Sequence, residues 1–241
     1  MRSSETNISP LPVSNRTRRQ QWNKDVFRHL REASVFILGT GDLVHNRYMA
    51  NYTEDRNRCN WANGSELMAR YHDEEWGVPQ FDDQKLFEYL VLETMQAGLS
   101  WSTVLNKREH FRRAFLEFDF NKLSELPDEQ VGVWMEDPSI IRNTAKLRAV
   151  IKNAKAFVRI QAEFGTFAKY QWSFVNGKPV DGGWLSDADL PATTELSNNF
   201  ARDLKKRGFS FIGPTTCYAH MQATGMVNDH VISCWRNGNP P

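Results

Sequence analysis

Two short patterns at opposite ends of the chain offer soft metal ligands. Cys59 and His72 stand with twelve residues between them, and the segment "HVISC" places His230 and Cys234 four apart. A His and a Cys at that second spacing share one helical face or one tight turn, so both can reach a single ion. Each pair is half a site. Joined, the two would make a Cys₂His₂ set suited to tetrahedral Zn²⁺, and four protein ligands would leave no open position for a reacting water, so such an ion would be structural. Buried packing of separate Cys and His residues is the alternative. Cys217 and His220, inside the apolar "TTCYAHM", read as packing residues.

A second candidate is a lone carboxylate. From an expected N-cap at Asp83, the residues Leu86, Phe87, Leu90, Glu93 and Ala97 recur at the steps of one helix face, which turns Glu93 toward the core. Burying a carboxylate is costly without a partner, so Glu93 is either a satisfied structural acid or the floor of a pocket that receives a ligand.

The elements that must position these residues are helical. Apolar periodicity predicts helices near 64–75, 83–97, 100–117, 128–136, 142–163, 195–207 and 214–225, with no alternating run long enough for a sheet and no internal repeat. Ser100 is placed to cap the helix starting at Trp101, and Gly165 and Gly208 stand where left-handed helix ends belong. The stretch "FVNGKPVDGGWLSDADLPATT" has the Gly, Pro and Asp content of a long loop. The last two helices flank a short hairpin, "FSFIG", and Pro214 opens the second of them. At such a turn Gly213 lets backbone approach a ligand, and the free amides of the following helix can hold a phosphate without reading sequence. An ordinary helical hairpin is the plainer reading.

Length and composition bound the class. The chain has 241 residues, 40% of them hydrophobic, enough for one large or two small globular domains. No apolar run approaches the roughly 20 residues of a spanning helix, and the first residues lack a signal-peptide core. Three cysteines are too few and too odd in number for a disulfide framework. Together these point to a cytoplasmic protein. Net charge is +1, but residues 1–58 carry ten Lys/Arg against six Asp/Glu, and the remainder twenty against twenty-three. Charge alone thus predicts no nucleic-acid partner. The basic clusters Lys107-Arg108, Arg112-Arg113 and Lys205-Lys206-Arg207 are expected to be solvated helix faces. Residues 1–57 read as a polar, basic extension, partly mobile, with a short helix at Trp22–Ala33, and residues 58–241 as the globular domain.

Longer blocks carry a resemblance. "CNWANGSELMARYHDEEWGVP", "LFEYLVLETMQAGLSWSTVLNKREHFRRAF", "WSFVNGKP" and "LKKRGFSFIGPTTCYAHMQATGMVNDHVISC" resemble the bacterial type I 3-methyladenine DNA glycosylases over about Arg58 to Cys234. The resemblance implies an all-α fold of the helix-hairpin-helix glycosylase superfamily, with two helical subdomains and a base pocket between them. It implies zinc held by Cys59, His72, His230 and Cys234, tying the two ends of the core. Glu93 would hydrogen-bond the excised adenine, and Tyr71, Trp76 and Trp101 would wall it. Gly98 and Leu99 would enter the gap left in the duplex, and Gly213 and Thr215 would meet the DNA backbone. The partner is double-stranded DNA with alkylated bases, and the expected state is a monomeric bacterial protein drawn to the nucleoid through its DNA.

The chemistry suits those residue types. A target base must leave the stack first, at a cost of about a few kcal/mol that is smaller for damaged bases. N3-methylation makes adenine cationic, so aromatic walls add a cation–π attraction of about 2 kcal/mol when desolvated, and Glu93 adds a fixed negative charge. Selective binding then accounts for most of the rate. Lyase-active relatives carry a Lys nucleophile in the hairpin, whereas "FIGPTT" has Pro214 and Thr215 there, so monofunctional hydrolysis is expected. Asp229 lies where many superfamily members place a catalytic Asp, but it adjoins His230, and orienting the metal ligands or capping a helix is its expected task. Ala219 and His220 depart from the family pattern of a Ser and an apolar aromatic near the pocket. Two other readings stay open: a catalytically silent module that senses alkylated DNA, and a hydrolase whose zinc activates water.

Overall fold

The computed structural model describes residues 56–238. The expected helix at Trp22–Ala33 and nearly all of the 1–57 extension lie outside the described residues. Among the described residues ten α-helices follow one another: α1 (Glu66–Glu74), α2 (Asp83–Gln96), α3 (Trp101–Asn106), α4 (Arg108–Ala114), α5 (Phe120–Glu125), α6 (Gln130–Glu136), α7 (Thr144–Phe164), α8 (Phe167–Ser173), α9 (Glu195–Lys206) and α10 (Pro214–Ala223). No described helix is long and apolar enough to cross a membrane.

The caps explain most boundaries. Ser65, Ser100, Asn143, Thr166 and Thr194 each accept a hydrogen bond from a first-turn amide of the helix they precede. Gly165 and Gly208 follow α7 and α9 with φ of 85° and 97°, as their positions suggested. The cap of α2 is Asp82, one residue before the expected Asp83. Asp83 instead turns its carboxylate to a distant helix start, accepting from the Phe167 and Ala168 amides at 2.8 and 2.9 Å and from Gln161 Nε2 at 2.6 Å. Those are orphan donors of α8, so Asp83 satisfies them across the fold.

The long helix expected over 100–117 breaks. Lys107 ends α3 and starts α4 at φ −98° and ψ 0°, and Leu116, Glu117 and Phe118 have positive φ in a 3₁₀ turn. Helices α5 and α8, of six and seven residues, are too short to leave a period. The long loop contains β1 (Val180–Asp181), paired in parallel with β2 (Val227–Asn228), two residues each and invisible to any alternation test.

Helix α2 is the centre of the packing. Every residue from Leu86 to Met95 is buried, so the single expected stripe is in fact burial all round. Its neighbour α7 contributes Leu147, Val150, Ile151, Ala154, Phe157 and Ile160 to the same core. A second, smaller apolar cluster gathers Cys59, Met68, Tyr71, Trp76, Tyr89, Leu105, Val231 and Cys234. An ion network that the charge pattern did not foretell joins α1, α2 and α4 near the end of α1. Arg108 is held by Glu75 at 2.7 Å and Glu88 at 2.7 Å, and Arg112 also reaches Glu88. Arg207 likewise pairs with Asp203 and Glu163. Arg108 and Arg112, expected on solvated faces, are therefore partly internal struts, because buried Glu88 needs compensating cations, whereas Lys205 and Lys206 stay exposed as expected.

Asp83→Ala removes an acceptor of three hydrogen bonds and is expected to cost about 2–3 kcal/mol in urea unfolding, with faster amide exchange in α8. Asp82→Ala, losing one exposed cap, is expected to cost about 1 kcal/mol.

Candidate functional site

The four sequence-distant ligand candidates meet. The donor atoms of Cys59, His72, His230 and Cys234, all buried, lie within 4.8 Å of one another. Cys234 Sγ is 3.4 Å from His72 Nε2 and 3.6 Å from His230 Nδ1, and Cys59 Sγ is 3.7 Å from His230 Nδ1. The ring nitrogens facing away from the sulfurs are both engaged. His72 Nδ1 lies 2.8 Å from Asp73 Oδ1, and His230 Nε2 lies 3.2 Å from the Trp76 carbonyl. With N–H donated on those outer sides, each imidazole turns a lone pair toward the thiols, the tautomer a metal ligand needs. The Cys234 thiol is held far below its ordinary range by the hydrogen bond from Cys59 and then by the two imidazoles, while Cys59 is pushed up by the same bond. Asp73 is fixed in turn by Arg58 and by Trp235 Nε1. This group can hold a metal ion.

Beside it opens a cavity of about 390 Å³. Glu93 lines it, together with Tyr71, Trp76 and Trp101, the residues singled out in the sequence. Glu93 is 5% exposed, and no described residue donates it a hydrogen bond; loss of hydration pushes its carboxyl up to about 8. The structural alternative, an acid satisfied by partners, is thus not what the fold contains. Tyr71 and Trp101 touch, ring centroids 5.0 Å apart and tilted by 47°, so they form one wall and not two jaws. Trp61, which the sequence reading passed over, crosses Trp76 edge-on at 5.1 Å and also lines the cavity. Its position two residues after Cys59, in the 3₁₀ turn Asn60–Gly64, was the available signal. Gln222, one helical turn beyond Ala219 on α10, was also missed; both line the cavity.

The aromatic walls rest on the ligand group itself. Trp76 packs edge-on against His230 at 4.6 Å and lies nearly parallel to His72 at 6.1 Å. Tyr71 and His72 are successive residues of α1, one turned to the cavity and the other to the sulfurs.

Other expectations are redrawn. His220 does not line the cavity: it is fully buried, its Nε2 is bonded to Gln171 Oε1 at 2.7 Å, and burial lowers its pKa to about 3, so it stays neutral. Asp229 makes no hydrogen bond to either ligand histidine and caps no helix; it accepts from Trp184, Tyr218 and Gln222. Gly98 has φ 78° and Leu99 is 43% exposed, a protruding tip at the end of α2. Lys146 fixes that tip, donating to the Met95 and Ala97 carbonyls at 2.7 and 2.6 Å. The turn between α9 and α10 is clamped by Asn153, which exchanges two hydrogen bonds with the Ser210 backbone. Gly213 precedes Pro214 with open space where a side chain would stand, and Thr215 is exposed.

Comparison with known proteins follows this geometry. Residues 61–237 match the methyladenine glycosylase family. A DNA-3-methyladenine glycosylase of Haemophilus influenzae is 46% identical over 177 residues, 73% of this chain and 96% of that one. The crystal structure of a 3-methyladenine DNA glycosylase I superposes with a TM-score of 0.73 at 43% identity, covering 77% of this chain and all of the other. A variant of 3-methyladenine DNA glycosylase I in complex with 3-methyladenine superposes at 0.72, with 33% identity over 74% of this chain and 96% of its own. A family match across this length, with near-complete coverage of the relatives, leaves one conclusion: the chain belongs to the methyladenine glycosylase family.

Proposed function

We propose that the protein is a DNA glycosylase of base-excision repair that removes 3-methyladenine from DNA. The observation that carries this reading is the unpaired, buried Glu93 on the floor of an aromatic cavity in a chain of this family. A base flipped out of the duplex seats against the Tyr71–Trp101 wall, with Trp61 and Trp76 beside it. The cationic lesion is attracted to the ring faces and to the Glu93 carboxylate, which also accepts from the exocyclic amine. Normal adenine has no charge and gains less. The methylated base is already a good leaving group, so tighter holding of the transition state, where positive charge spreads to the sugar, lowers the barrier. No acid–base step is assigned to Glu93. The cavity presents no lysine amine among its described lining residues, and nearby Lys146 is committed to two carbonyls. That favours monofunctional hydrolysis to an abasic site.

Leu99, held out on Gly98, fills the space vacated by the base, and the turn at Gly213 with the free amides from Thr215 onward holds a phosphate. The two apolar clusters are the cores of the two helical subdomains. Residues 58–241 constitute the glycosylase domain, and the basic extension before it adds nonspecific DNA affinity. The ligand group fits zinc: tetrahedral bonds of 2.0–2.3 Å put ligand atoms about 3.6 Å apart, close to three of the sulfur–nitrogen distances here. Bound there, zinc supplies a structural tie and no reacting water. The protein acts as a monomer on duplex DNA in a bacterial cytoplasm.

Mass spectrometry of bases freed from methylated duplex DNA tests the activity. The unmutated protein is expected to release 3-methyladenine above the spontaneous background, and absence of release from folded protein would favour a damage sensor. Glu93→Gln is expected to keep DNA binding and lose about 100-fold in release rate. Because the free carboxyl titrates near 8, kcat/KM for the cationic lesion should rise with pH and level off above that value. Stability should move oppositely: the unfolded chain loses the Glu93 proton first, so stability falls between the ordinary carboxylate range and about 8, and Glu93→Gln should flatten that fall. Leu99→Ala should slow release from duplex about tenfold while sparing single-stranded substrate, where no gap needs filling. Cys234→Ala should abolish stoichiometric zinc in metal analysis and lower Tm by at least about 5 °C; a metal-free protein with unchanged Tm would remove zinc from the account.

A further inference from the structure

Asp229 is a buried acid that neither the ligand group nor the proposed excision uses. It is 2% exposed, and its carboxylate accepts three hydrogen bonds: from Tyr218 OH at 2.5 Å, from Trp184 Nε1 at 2.8 Å and from Gln222 Nε2 at 2.8 Å. The first two partners anchor it, one from α10 and one from the long loop. The third lines the cavity.

A carboxylate only accepts, so the contact with Asp229 decides which end of the Gln222 amide faces it. The NH₂ group must point to Asp229. The oxygen is thereby turned away, and no described residue donates to it. One turn earlier on the same helix stands Ala219, which lines the cavity together with Gln222 and adds no polar side chain to pair with that oxygen. The backbone beneath is fixed as well: the Gln222 carbonyl accepts from the Gly77 amide at 3.1 Å, next to the wall residue Trp76. A side chain at Gly225 would strike the backbone of Gly77, Val78 and Pro79, so α10 ends in close contact with that segment. The amide is preorganised by its own supports.

We infer that Gln222 is a specificity-determining residue of the cavity, and Asp229 the positioning residue that orients it. With an ionised Glu93 on α2 and the Gln222 amide oxygen on α10, the cavity offers two acceptors for the two hydrogens of a 6-amino group. A 6-oxo purine would bring its own acceptor against both, leaving buried polar atoms unpaired, and a site built around a hydrogen bond rejects such an analogue strongly. The device selects adenine lesions over guanine or hypoxanthine lesions. This rests on the reading of the cavity as the base pocket.

The test is equilibrium binding, at a pH above 8 where Glu93 is ionised, of free 3-methyladenine and of its 6-oxo counterpart, 3-methylhypoxanthine, followed by quenching of the cavity tryptophans. Unmutated protein is expected to prefer 3-methyladenine. Gln222→Met, which keeps the length and removes the amide, should reduce that preference about tenfold. Asp229→Asn should reduce it further, since an Asn can donate to the Gln222 oxygen and turn the NH₂ toward the base. A merely structural role would weaken both ligands alike, so an unchanged preference in folded Gln222→Met overturns the inference, as does equal binding of the two bases by unmutated protein. Where Asp229→Asn fails to fold, the half-exposed position 222 decides alone. Failure of the unmutated protein to bind 3-methyladenine at all would instead overturn the reading of the cavity.

Discussion

The convergence of Cys59, His72, His230 and Cys234 holds the active region together. These residues come from the beginning and the end of the described chain, and no continuous helix joins them. Their meeting fixes α1, and α1 carries Tyr71 beside His72. It also fixes the turn that bears Trp61 and the loop that bears Trp76, because both rings pack directly on the histidines. The walls of the cavity are thus outer layers of the ligand group. Asp73, Arg58, Trp235 and the Trp76 carbonyl hold the histidines in one tautomer and orientation, which couples the geometry of this Cys/His group to the shape of the cavity.

Against that stapled wall stands Glu93, on the most buried helix of the fold. Its position is expensive: a carboxylate deprived of water without a compensating donor destabilises the folded state. The surrounding structure carries this cost through α2, packed on every side and tied at its end by Lys146. The same tie presents Leu99 outward. One rigid element therefore supports both the carboxylate that lines the cavity and the exposed tip at Leu99, so the two stay in register. Polar groups left unpaired in a well-packed fold concentrate where a ligand supplies the missing partner.

The helix boundaries were legible where an apolar period coincided with a local cap, as in α1, α7 and α9. Local reading failed where the decisive contact was remote. Helix α8 is too short to nucleate a pattern and starts on a carboxylate eighty-odd residues away. The basic pair Lys107-Arg108 looked like a surface because nothing local reveals that Glu75 and Glu88 converge on it. Asp229 sat beside a ligand histidine in sequence and was expected to serve it. The chain turns it instead toward Trp184, Tyr218 and Gln222.

What the sequence determined by itself was the inventory: two Cys–His half sites, one carboxylate on an apolar stripe, a cluster of aromatic residues, and long blocks resembling one family. Residue type and short-range period are local properties and can be read along a line. Tertiary structure alone decided that the half sites meet, that Glu93 finds no partner, that Trp61 and Gln222 join the cavity while His220 leaves it, and which way the Gln222 amide points. Each of those depends on distances between residues far apart in the chain, and through-space burial and hydrogen bonding set them only once the helices have packed.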